Sequence, residues 1–429
     1  MKIFSLKNIS QSKLHRLFSR PAIESEKVFE IVEPIIADVK KNGLKTALKY
    51  AKKYDGFDGA DITVSKKEIE QAEKLLDRES KRAMLTAFKN IEKFHCKQIP
   101  SGYEIETMPG VKCSREFRAI ENVGLYIPGG TAVLPSTMLM LGIPARIAGC
   151  KRVAALSPTK KEINPAVLFA AKICEVDEFY KIGGAQGVAL MAYGDKTIQK
   201  VDKIFGPGNQ YVTAAKSLVS IDPQGCAIDM PAGPSEVLVI ADAKANPSYV
   251  ASDLLSQAEH GVDSQVILLT NSEKLITQVQ AEIKKQKNYL VRRNIIEGAL
   301  KNSFVLLIDS IEEAIELSNR YAPEHLILNI SNAEKFKRKI VNAGSVFLGS
   351  YSAESIGDYA SGTNHSLPTY GYAKTFGGIS VESFMKTITF QNVNKIGFEN
   401  IASTVIKMAL LEKLDAHANA IKVRMKNGN

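Results

Sequence analysis

The sequence contains no tryptophan, and its five cysteines include no pair at the C-x-x-C spacing of zinc ribbons and thioredoxin-like motifs. No uninterrupted apolar run reaches about 18 residues, which argues against a transmembrane helix. Scattered cysteines fit a reducing compartment, so we expect a cytoplasmic protein. Hydrophobic residues at 45% and charged residues at 24% exclude a mostly disordered, collagenous or coiled-coil chain. A length of 429 residues predicts roughly three domains.

The first 23 residues lack acidic side chains altogether. They hold five basic residues, and the first acid is Glu24. This composition allows an organellar transit peptide, but the segment has no apolar region like that of a secretory signal, and it runs into a helical pattern without an obvious cleavage site. We therefore favour a helical arm, residues 1–23, that docks on a partner.

The formal net charge of +10 would suit a partner rich in phosphate. The basic residues are spread along the whole chain, however, and no dense basic cluster with interleaved aromatic residues is present. We therefore expect no nucleic-acid partner and no membrane partner, and we keep a basic nucleic-acid-binding protein as an alternative.

The chain shows two different hydrophobic patterns. Residues 24–100 carry apolar positions at helical spacing, whereas from about residue 120 short apolar runs alternate with helical segments. Strands separated by helices predict parallel sheets with crossover connections. After Gly377-Gly378 the sheet pattern ends, and we predict a C-terminal helical arm, residues 379–429. The predicted strands are 123–127, 152–156, 237–241, 266–269, 304–308, 325–328 and 345–348.

Glycine and proline cluster at the ends of predicted strands, in residues 127–130, 182–187, 205–209 and 231–235. Open α/β sheets bind ligands at such turns, where backbone N–H groups can approach a phosphate closely. The run that begins at Gly206 resembles the dinucleotide fingerprint G-x-G-x-x-G, but Tyr211 replaces its third glycine. This partial match is weak evidence for nucleotide binding.

Gln257 and His260 lie at the end of a predicted helix. Their spacing of three places both on one face, and such a pair can chelate a metal such as zinc. Alternatively, His260 only interacts with the last carbonyl groups of the helix, which Gly261 would cap.

Glu324 and His325 stand next to each other at the start of a predicted strand. A carboxylate and an imidazole can activate water and accept a proton. Neighbouring residues on a strand point to opposite faces, so both reach one site only where the backbone is irregular. The alternative is a polar start to the strand.

Residues 349–365 are rich in glycine and serine, which predicts a long polar loop after a strand. Loops in this position often carry function. The loop contributes Asp358 and His365, although an ordinary solvated loop would look the same. His417 lies on the predicted terminal helix and by itself indicates only a surface histidine.

Seven segments stand in their natural order along the chain: 122–130, 183–187, 205–209, 229–236, 255–261, 322–325 and 362–365. Together they resemble the histidinol dehydrogenases, and the resemblance covers nearly the whole chain. It implies a zinc-dependent, NAD-linked oxidation of L-histidinol through L-histidinaldehyde to L-histidine by a homodimer. The implied fold has two incomplete Rossmann-like α/β/α units with parallel-rich sheets, and helical arms exchanged between subunits.

The resemblance also implies roles for single residues. His325 would take the hydroxyl proton, and Glu324 would activate the water that adds to the aldehyde. His417 would come from the arm of the other subunit, so that each site is built from both chains. The implied zinc ligands, one ion per subunit, are Gln257, His260, Asp358 and His417. The implied substrate contacts are these four together with Ser235, His325, His365 and Glu412. The implied NAD contacts are Tyr126, Gln186 and Asn209.

We expect residues 24–125 and 237–378 to form one discontinuous α/β domain with most of the metal and catalytic residues. Residues 126–236 would form the second domain, on the NAD side. A zinc hydrolase with Glu324 as its base is the alternative enzyme class, and the glycine-rich turns count against it. Cys113 or Cys150 as a thiol nucleophile is disfavoured because neither has a neighbouring histidine or a helix start to lower its pKa.

Overall fold

The computed structural model describes residues 1–20, 25–129, 133–231 and 233–427. The end of the predicted N-terminal arm and parts of two glycine- and proline-rich turns lie outside these residues. The chain divides into two compact units. The first unit comprises Met1–Gln98 and Ile120–Phe384, and the second comprises Ile99–Ala119 and Met385–Asn429.

The strands of the described residues are, in chain order, β1 (Lys2–Ser5), β2 (Tyr103–Met108), β3 (Val111–Ala119), β4 (Asn122–Tyr126), β5 (Arg152–Leu156), β6 (Glu178–Tyr180), β7 (Lys203–Phe205), β8 (Ala227–Ile228), β9 (Glu236–Ala241), β10 (Gln265–Thr270), β11 (Phe304–Leu307), β12 (His325–Asn329), β13 (Ser345–Leu348) and β14 (Met385–Val393).

The α-helices are α1 (Gln11–Phe18), α2 (Ser25–Asn42), α3 (Leu44–Asp55), α4 (Lys66–Leu75), α5 (Arg78–His95), α6 (Pro135–Ala148), α7 (Pro165–Ile173), α8 (Gly184–Tyr193), α9 (Gln210–Ile221), α10 (Pro247–Ala258), α11 (Glu273–Gln286), α12 (Arg293–Ala299), α13 (Ile311–Tyr321), α14 (Glu354–Tyr359), α15 (Lys395–Leu411) and α16 (Asp415–Asn427).

A six-stranded sheet in the first unit has the order β1-β11-β10-β9-β12-β13, and all its neighbouring strands are parallel. Side chains alternate between its faces because the side-chain period of a strand is two. Val237 and Val239 pack with α10, α11 and α12, whereas Leu238 and Ile240 pack with α1 and α13. The result is a three-layer α/β/α arrangement.

A five-stranded parallel sheet in the same unit has the order β6-β5-β4-β7-β8. Ala154 and Leu156 face a cluster that includes α2, α3, α8 and α9, while Val153 and Ala155 face the helices α4 to α7. The predicted fold class, two α/β/α units with parallel-rich sheets, is confirmed. All seven predicted strands are present, with ends within one residue of the prediction.

The helices between residues 25 and 98 pack on the five-stranded sheet. Val32 and Ile36 of α2 join the cluster of α8 and α9, and Ile91 of α5 joins that of α6 and α7. The division that groups residues 24–125 with residues 237–378 stays a prediction, and the first unit holds both large sheets.

The N-terminal segment is not wholly helical as predicted. Within the described residues 1–20, residues 2–5 form β1, which pairs in parallel with β11, and helical structure is limited to α1 and a short 3-10 turn. The free edge of β11 offers unpaired backbone groups, and pairing with them outweighs local helical preference. Leu14 and Phe18 of α1 complete the apolar layer on the same sheet.

The second unit corrects the prediction that the sheet pattern ends at residue 378. β14 pairs antiparallel with β3, and β3 pairs antiparallel with β2. Ile388 and Phe390 do alternate with polar residues, but they are largely exposed, and the signal is weak. The helical spacing predicted for residues 401–421 is confirmed by α15 and α16. Among the described helices, none is long and apolar enough to cross a lipid bilayer.

Candidate active site

Most of the predicted site residues meet at the amino-terminal edge of the six-stranded sheet. α10 runs back from the end of β9, so Gln257 in its last turn returns to the level where β9 and β12 begin. His260 lies two residues beyond the end of this helix, which stops at Ala258 without the predicted glycine cap. Asp358 lies on α14, a short helix inside the segment predicted to be a loop.

His325 is the first residue of β12 and is buried. Its Nδ1 lies 3.2 Å from the backbone oxygen of Glu236. A carbonyl oxygen only accepts, so Nδ1 carries a hydrogen, and Nε2 is the nitrogen that can gain or lose a proton. Nε2 is buried without a hydrogen-bond partner among the described residues and lies 3.5 Å from Oδ1 of Asp358. The imidazole therefore has one nitrogen fixed and one available for proton transfer.

Glu324 lies just outside β12, and its carboxylate points to the same site as His325. Its Oε2 accepts a hydrogen bond from the backbone N–H of Glu236 (2.9 Å) and lies 3.6 Å from Nδ1 of His325. Ala322 has a left-handed backbone with φ 55°, so the backbone is irregular just before β12. Both side chains therefore reach one site despite being adjacent in sequence.

Three donors of a metal-binding type converge beside this pair. One ligand atom from each of His260, Glu354 and Asp358 lies within 4.8 Å of the other two. A mixed imidazole and carboxylate set suits zinc. The sequence analysis gives Glu354 no role, because residues 349–365 are predicted there to form a loop. Its spacing of four from Asp358, typical of one helix face, was the available signal.

The amide of Gln257 is buried and fits in either of two orientations. In one, Nε2 donates to Oε2 of Glu324 (3.4 Å) and the amide oxygen faces the carboxylate of Glu354. In the other, Nε2 donates to Glu354 and the amide oxygen accepts from the backbone N–H of Glu236 (3.1 Å). The second orientation satisfies both ends of the amide. The fit to a metal ion therefore rests on the imidazole and carboxylate atoms of His260, Glu354 and Asp358.

Burial and neighbouring charge shift the pKa values of these groups in different directions. Burial raises the pKa of Glu354 to about 8 and also raises the pKa of Glu324. Burial opposes ionisation of Asp358, but the neighbouring imidazole of His325 lowers the pKa of Asp358 below the usual value. Burial would lower the pKa of His325, yet the carboxylates of Glu354 and Glu324 raise it well above the usual value.

The protein surroundings lower the pKa of His260 by desolvation, although its side chain is partly open to solvent. A lowered pKa keeps this imidazole neutral near pH 7. A neutral imidazole is the form that binds a metal ion.

His365 is anchored through both ring nitrogens. Nδ1 lies 2.9 Å from the backbone oxygen of Asp358, and Nε2 lies 3.2 Å from Oγ1 of Thr137 on α6. Burial lowers the pKa of His365, so the ring is neutral and Nε2 accepts from the threonine hydroxyl. The structure thus brings His365 beside Asp358 and gives it partners inside the protein.

A cavity of about 390 Å³ opens between the amino edge of the six-stranded sheet and the carboxyl edge of the five-stranded one. Asn209 and Tyr211 line it from the start of α9, while Ser235 and His260 line it from the other sheet. Oδ1 of Asn209 caps α9 by accepting from the N–H groups of Tyr211 and Val212. A helix start on the wall of a cavity favours an anionic group such as a phosphate.

Tyr126 and Gln186 are buried, and their side chains have hydrogen-bond partners around the five-stranded sheet. The hydroxyl of Tyr126 accepts from the N–H of Gly184 (3.1 Å), and Nε2 of Gln186 donates to Asp55 (2.8 Å). Neither side chain lines the cavity. Of the three predicted NAD contacts, only Asn209 is on the cavity wall.

Glu412 and His417 belong to the second unit. Glu412 follows α15, His417 lies in the first turn of α16, and both side chains are exposed. Cys113 lies on β3 of the same unit. Cys150, in the first unit, is a poor nucleophile because burial raises the pKa of its thiol to about 12.

The chain matches the family model described as histidinol dehydrogenase over residues 18–425. It is 51% identical over 422 residues to a histidinol dehydrogenase of Bacteroides fragilis, with 98% of each chain covered. It is 49% identical over 419 residues to a histidine biosynthesis trifunctional protein of Saccharomyces cerevisiae, covering 96% of this chain and 52% of that protein.

The chain belongs to the histidinol dehydrogenase family. The crystal structure of histidinol dehydrogenase from Elizabethkingia anophelis superposes with a TM-score of 0.95 at 50% identity, covering 100% of this chain and 98% of that one. The protein is therefore an oxidoreductase, and members of its family catalyse the final steps of histidine biosynthesis. Of the two enzyme classes considered from the sequence, the dehydrogenase is confirmed over the hydrolase.

Proposed function

We propose that the chain oxidises L-histidinol to L-histidinaldehyde and then to L-histidine, with one zinc ion per subunit and NAD as the electron acceptor. The observation that carries the proposal is the convergence of Nε2 of His325, buried and without a hydrogen-bond partner in the described part of the chain, with the donor cluster of His260, Glu354 and Asp358. An alcohol held by such a cluster would lie within reach of a base, which general base catalysis requires.

His325 acts as the general base of the first oxidation. Its Nδ1–H is held by the backbone oxygen of Glu236, so Nε2 is the nitrogen that, in the unprotonated ring, receives the hydroxyl proton while the carbinol carbon loses hydride to NAD. The nearby carboxylates stabilise the imidazolium that results, as the raised pKa of His325 indicates.

Glu324 activates water in the second oxidation. Water must add to the aldehyde before the resulting hydrate can lose hydride and yield the acid. Burial raises the pKa of Glu324 and brings it closer to the range in which a carboxylate is an effective base. Its distance of 3.6 Å from the His325 ring allows the two groups to serve the same bound substrate in turn.

Gln257, His260, Asp358 and His417 are the proposed zinc ligands. When bound, zinc would polarise the alcohol and clamp the substrate, and it cannot accept electrons itself. The first three lie in the first unit, where atoms of His260 and Asp358 belong to the donor cluster and Gln257 lies beside Glu324. Glu354 lies close enough to these donors to balance the charge of the cation.

Ser235, His365 and Glu412 are proposed to contact the substrate together with the zinc ligands and His325. Ser235 is on the cavity wall, which supports its role. Glu412 is exposed on the second unit and would pair with the cationic amino group of histidinol. His365 would position the substrate from beside Asp358.

NAD is proposed to lie along Tyr126, Gln186 and Asn209. Asn209 is supported by its place on the cavity wall and by the start of α9, which suits the pyrophosphate. Tyr126 and Gln186 have partners inside the protein, and their contact with NAD stays a prediction.

We further propose a cytoplasmic homodimer whose sites are shared, with residues 379–429 as the arm that carries Glu412 and His417 to the other subunit. Residues 126–236 would serve the NAD side. The second unit exposes several large apolar residues, and such a surface is typical of a protein interface. They include Ile388, Phe390, Met408, Leu411 and Met425.

The proposal is tested with purified protein, L-histidinol and NAD. NADH absorbance should rise, stop after treatment with a chelator, and return when zinc is added back. An unchanged rate after complete removal of the metal would overturn the zinc requirement, and no NADH from the metal-loaded protein would overturn the reaction.

A further inference from the structure

Arg20, in the N-terminal segment, contacts the residues that precede β12, although they lie about 300 residues away in sequence. It lies two residues beyond the end of α1, and its guanidinium packs over the ring of Tyr321 at 3.9 Å. Its Nη2 donates to the backbone oxygens of Tyr321 (2.9 Å) and Ala322 (3.2 Å). Arg20 thus holds the left-handed turn that sets Glu324 outside β12.

The same guanidinium binds Glu236 through two parallel hydrogen bonds. Nε donates to Oε1 (2.7 Å) and Nη2 donates to Oε2 (2.9 Å). Oε1 of Glu236 also accepts from the backbone N–H of Tyr370 (2.8 Å). The side chain of Glu236 is 2% exposed and that of Arg20 is 12% exposed, so the pair is shielded from water. A bidentate contact of this kind fixes geometry as well as charge.

Glu236 in turn holds both members of the catalytic pair through its backbone. Its N–H donates to Oε2 of Glu324 (2.9 Å), and its carbonyl oxygen receives Nδ1–H of His325 (3.2 Å). One residue therefore sets the direction of the carboxylate and the tautomer of the imidazole. Its side chain is held by the guanidinium of Arg20 and the N–H of Tyr370, and its backbone lies in β9 beside β10.

We propose that Arg20 and Glu236 are positioning residues that orient Glu324 and His325 for proton transfer, so that the N-terminal segment is part of the catalytic apparatus. The inference rests on the proposed roles of Glu324 and His325. Arg20 acts on the pair along two routes, one through the carboxylate of Glu236 and one through the turn at Ala322. Outer-shell contacts of this kind typically change activity about 10- to 100-fold when they are removed.

The test compares Arg20→Ala and Arg20→Lys with the wild type in steady-state kinetics, zinc analysis and thermal unfolding. We expect Arg20→Ala to lower kcat about 10- to 100-fold, because the pair loses its orientation. The KM for histidinol and the zinc content should stay close to those of the wild type. The kcat of Arg20→Lys should lie between those of the wild type and Arg20→Ala, because a lysine keeps the charge but not the forked geometry.

Chemical rescue separates positioning from a loss of folded protein. Guanidinium chloride, at concentrations too low to unfold the protein, should restore part of the kcat of Arg20→Ala. Sodium chloride at equal ionic strength should not. If Arg20→Ala does not fold, the kcat of Arg20→Lys decides the question.

Arg152 offers a matched control. It also forms a forked pair, with Glu178, and donates to a backbone oxygen, that of Gln199, but it lies in the five-stranded sheet away from the site. Arg152→Ala should lower thermal stability and leave kcat per folded subunit unchanged.

The outcomes distinguish this inference from the proposed function. A wild-type kcat in Arg20→Lys and in folded Arg20→Ala, alongside a large loss in His325→Asn, would overturn the positioning role alone. A wild-type kcat in His325→Asn would overturn the assignment of the catalytic pair itself. An equal loss of kcat in Arg152→Ala and Arg20→Ala would mean that general destabilisation accounts for both.

Discussion

Nε2 of His325 lies 3.5 Å from Oδ1 of Asp358, which places the proposed base directly beside a proposed metal ligand. The same carboxylate group belongs to the donor cluster with His260 and Glu354. One substrate bound at the cluster would therefore meet its base without any movement of the protein. This arrangement explains how a single site can serve two successive oxidations, and it makes the following predictions.

Glu324→Gln should slow the oxidation of histidinaldehyde more than that of histidinol, because only the second step needs an activated water. We expect a drop of about 100- to 10,000-fold in the second step, the usual contribution of general acid–base catalysis. The two steps are measured separately by stopped-flow NADH absorbance with each substrate. Glu382→Gln, at a residue outside the site, is the control, and it should behave as the wild type. Equal slowing of both steps would contradict the assignment of Glu324.

His260→Asn should lower the zinc content of the purified protein as well as its activity, since it removes the imidazole donor of the cluster. Metal analysis by mass spectrometry provides the measurement. His15→Asn is the matched control. It changes an exposed histidine on α1, outside the cluster, and should keep the metal content of the wild type. Full zinc occupancy in His260→Asn would remove this residue from the ligand set.

Mixed dimers test whether the site is shared. His260→Ala and His417→Ala should each be inactive as homodimers, since each lacks one proposed ligand in both sites. After subunit exchange, a mixed dimer has one site that carries both defects and one that carries neither. About a quarter of the wild-type activity should then return under random exchange, which corresponds to one intact site in half of the dimers. No recovery after confirmed exchange would count against the arm carrying His417 to the other subunit.

The stability of the protein should depend on pH through Asp55. Burial raises the pKa of Asp55 from 3.8 to about 6. A folded-state pKa above the unfolded value means that the stabilising contribution of the protonated carboxyl is complete below pH 3.8 and is lost as the pH rises to about 6. Asp55→Asn cannot ionise, and its amide oxygen can still accept from Gln186.

The melting temperature of Asp55→Asn relative to the wild type should therefore increase between about pH 4.5 and about pH 7.5. We expect a gain of about 1–2 kcal/mol after allowance for the partial exposure of the carboxyl group. Asp58→Asn changes an exposed neighbour and should follow the wild type at both pH values. A constant difference between Asp55→Asn and the wild type across this range would mean that Asp55 is not desolvated.

The fold was predictable where the signal is local. Seven apolar runs gave strands at the expected places because each is a continuous strand of a parallel sheet, and all but the edge strand β13 are mostly buried. β1 was not predictable, since its pairing depends on the free edge of β11, about 300 residues away. β14 was missed because its largely exposed sheet leaves only a weak alternation around Ile388 and Phe390.

The site was predictable only in part. Gln257, His260, Glu324 and Asp358 carried recognisable chemistry, and the structure brings them together. Glu354 was hidden by the assumption of a loop between residues 349 and 365. The connection of Arg20 to Glu236 joins two ordinary charged residues that no spacing rule relates, so it emerges only when the chain is folded.

The central claim is a four-electron oxidation at one zinc site, and the ratio of NADH to substrate tests it most directly. With limiting L-histidinol, excess NAD and the zinc-loaded protein, about two NADH should form per histidinol, because alcohol, aldehyde and acid are separated by two hydride transfers. Chromatography should then find L-histidine as the product. One NADH per histidinol with histidinaldehyde accumulating, or no NADH at all, would contradict the account.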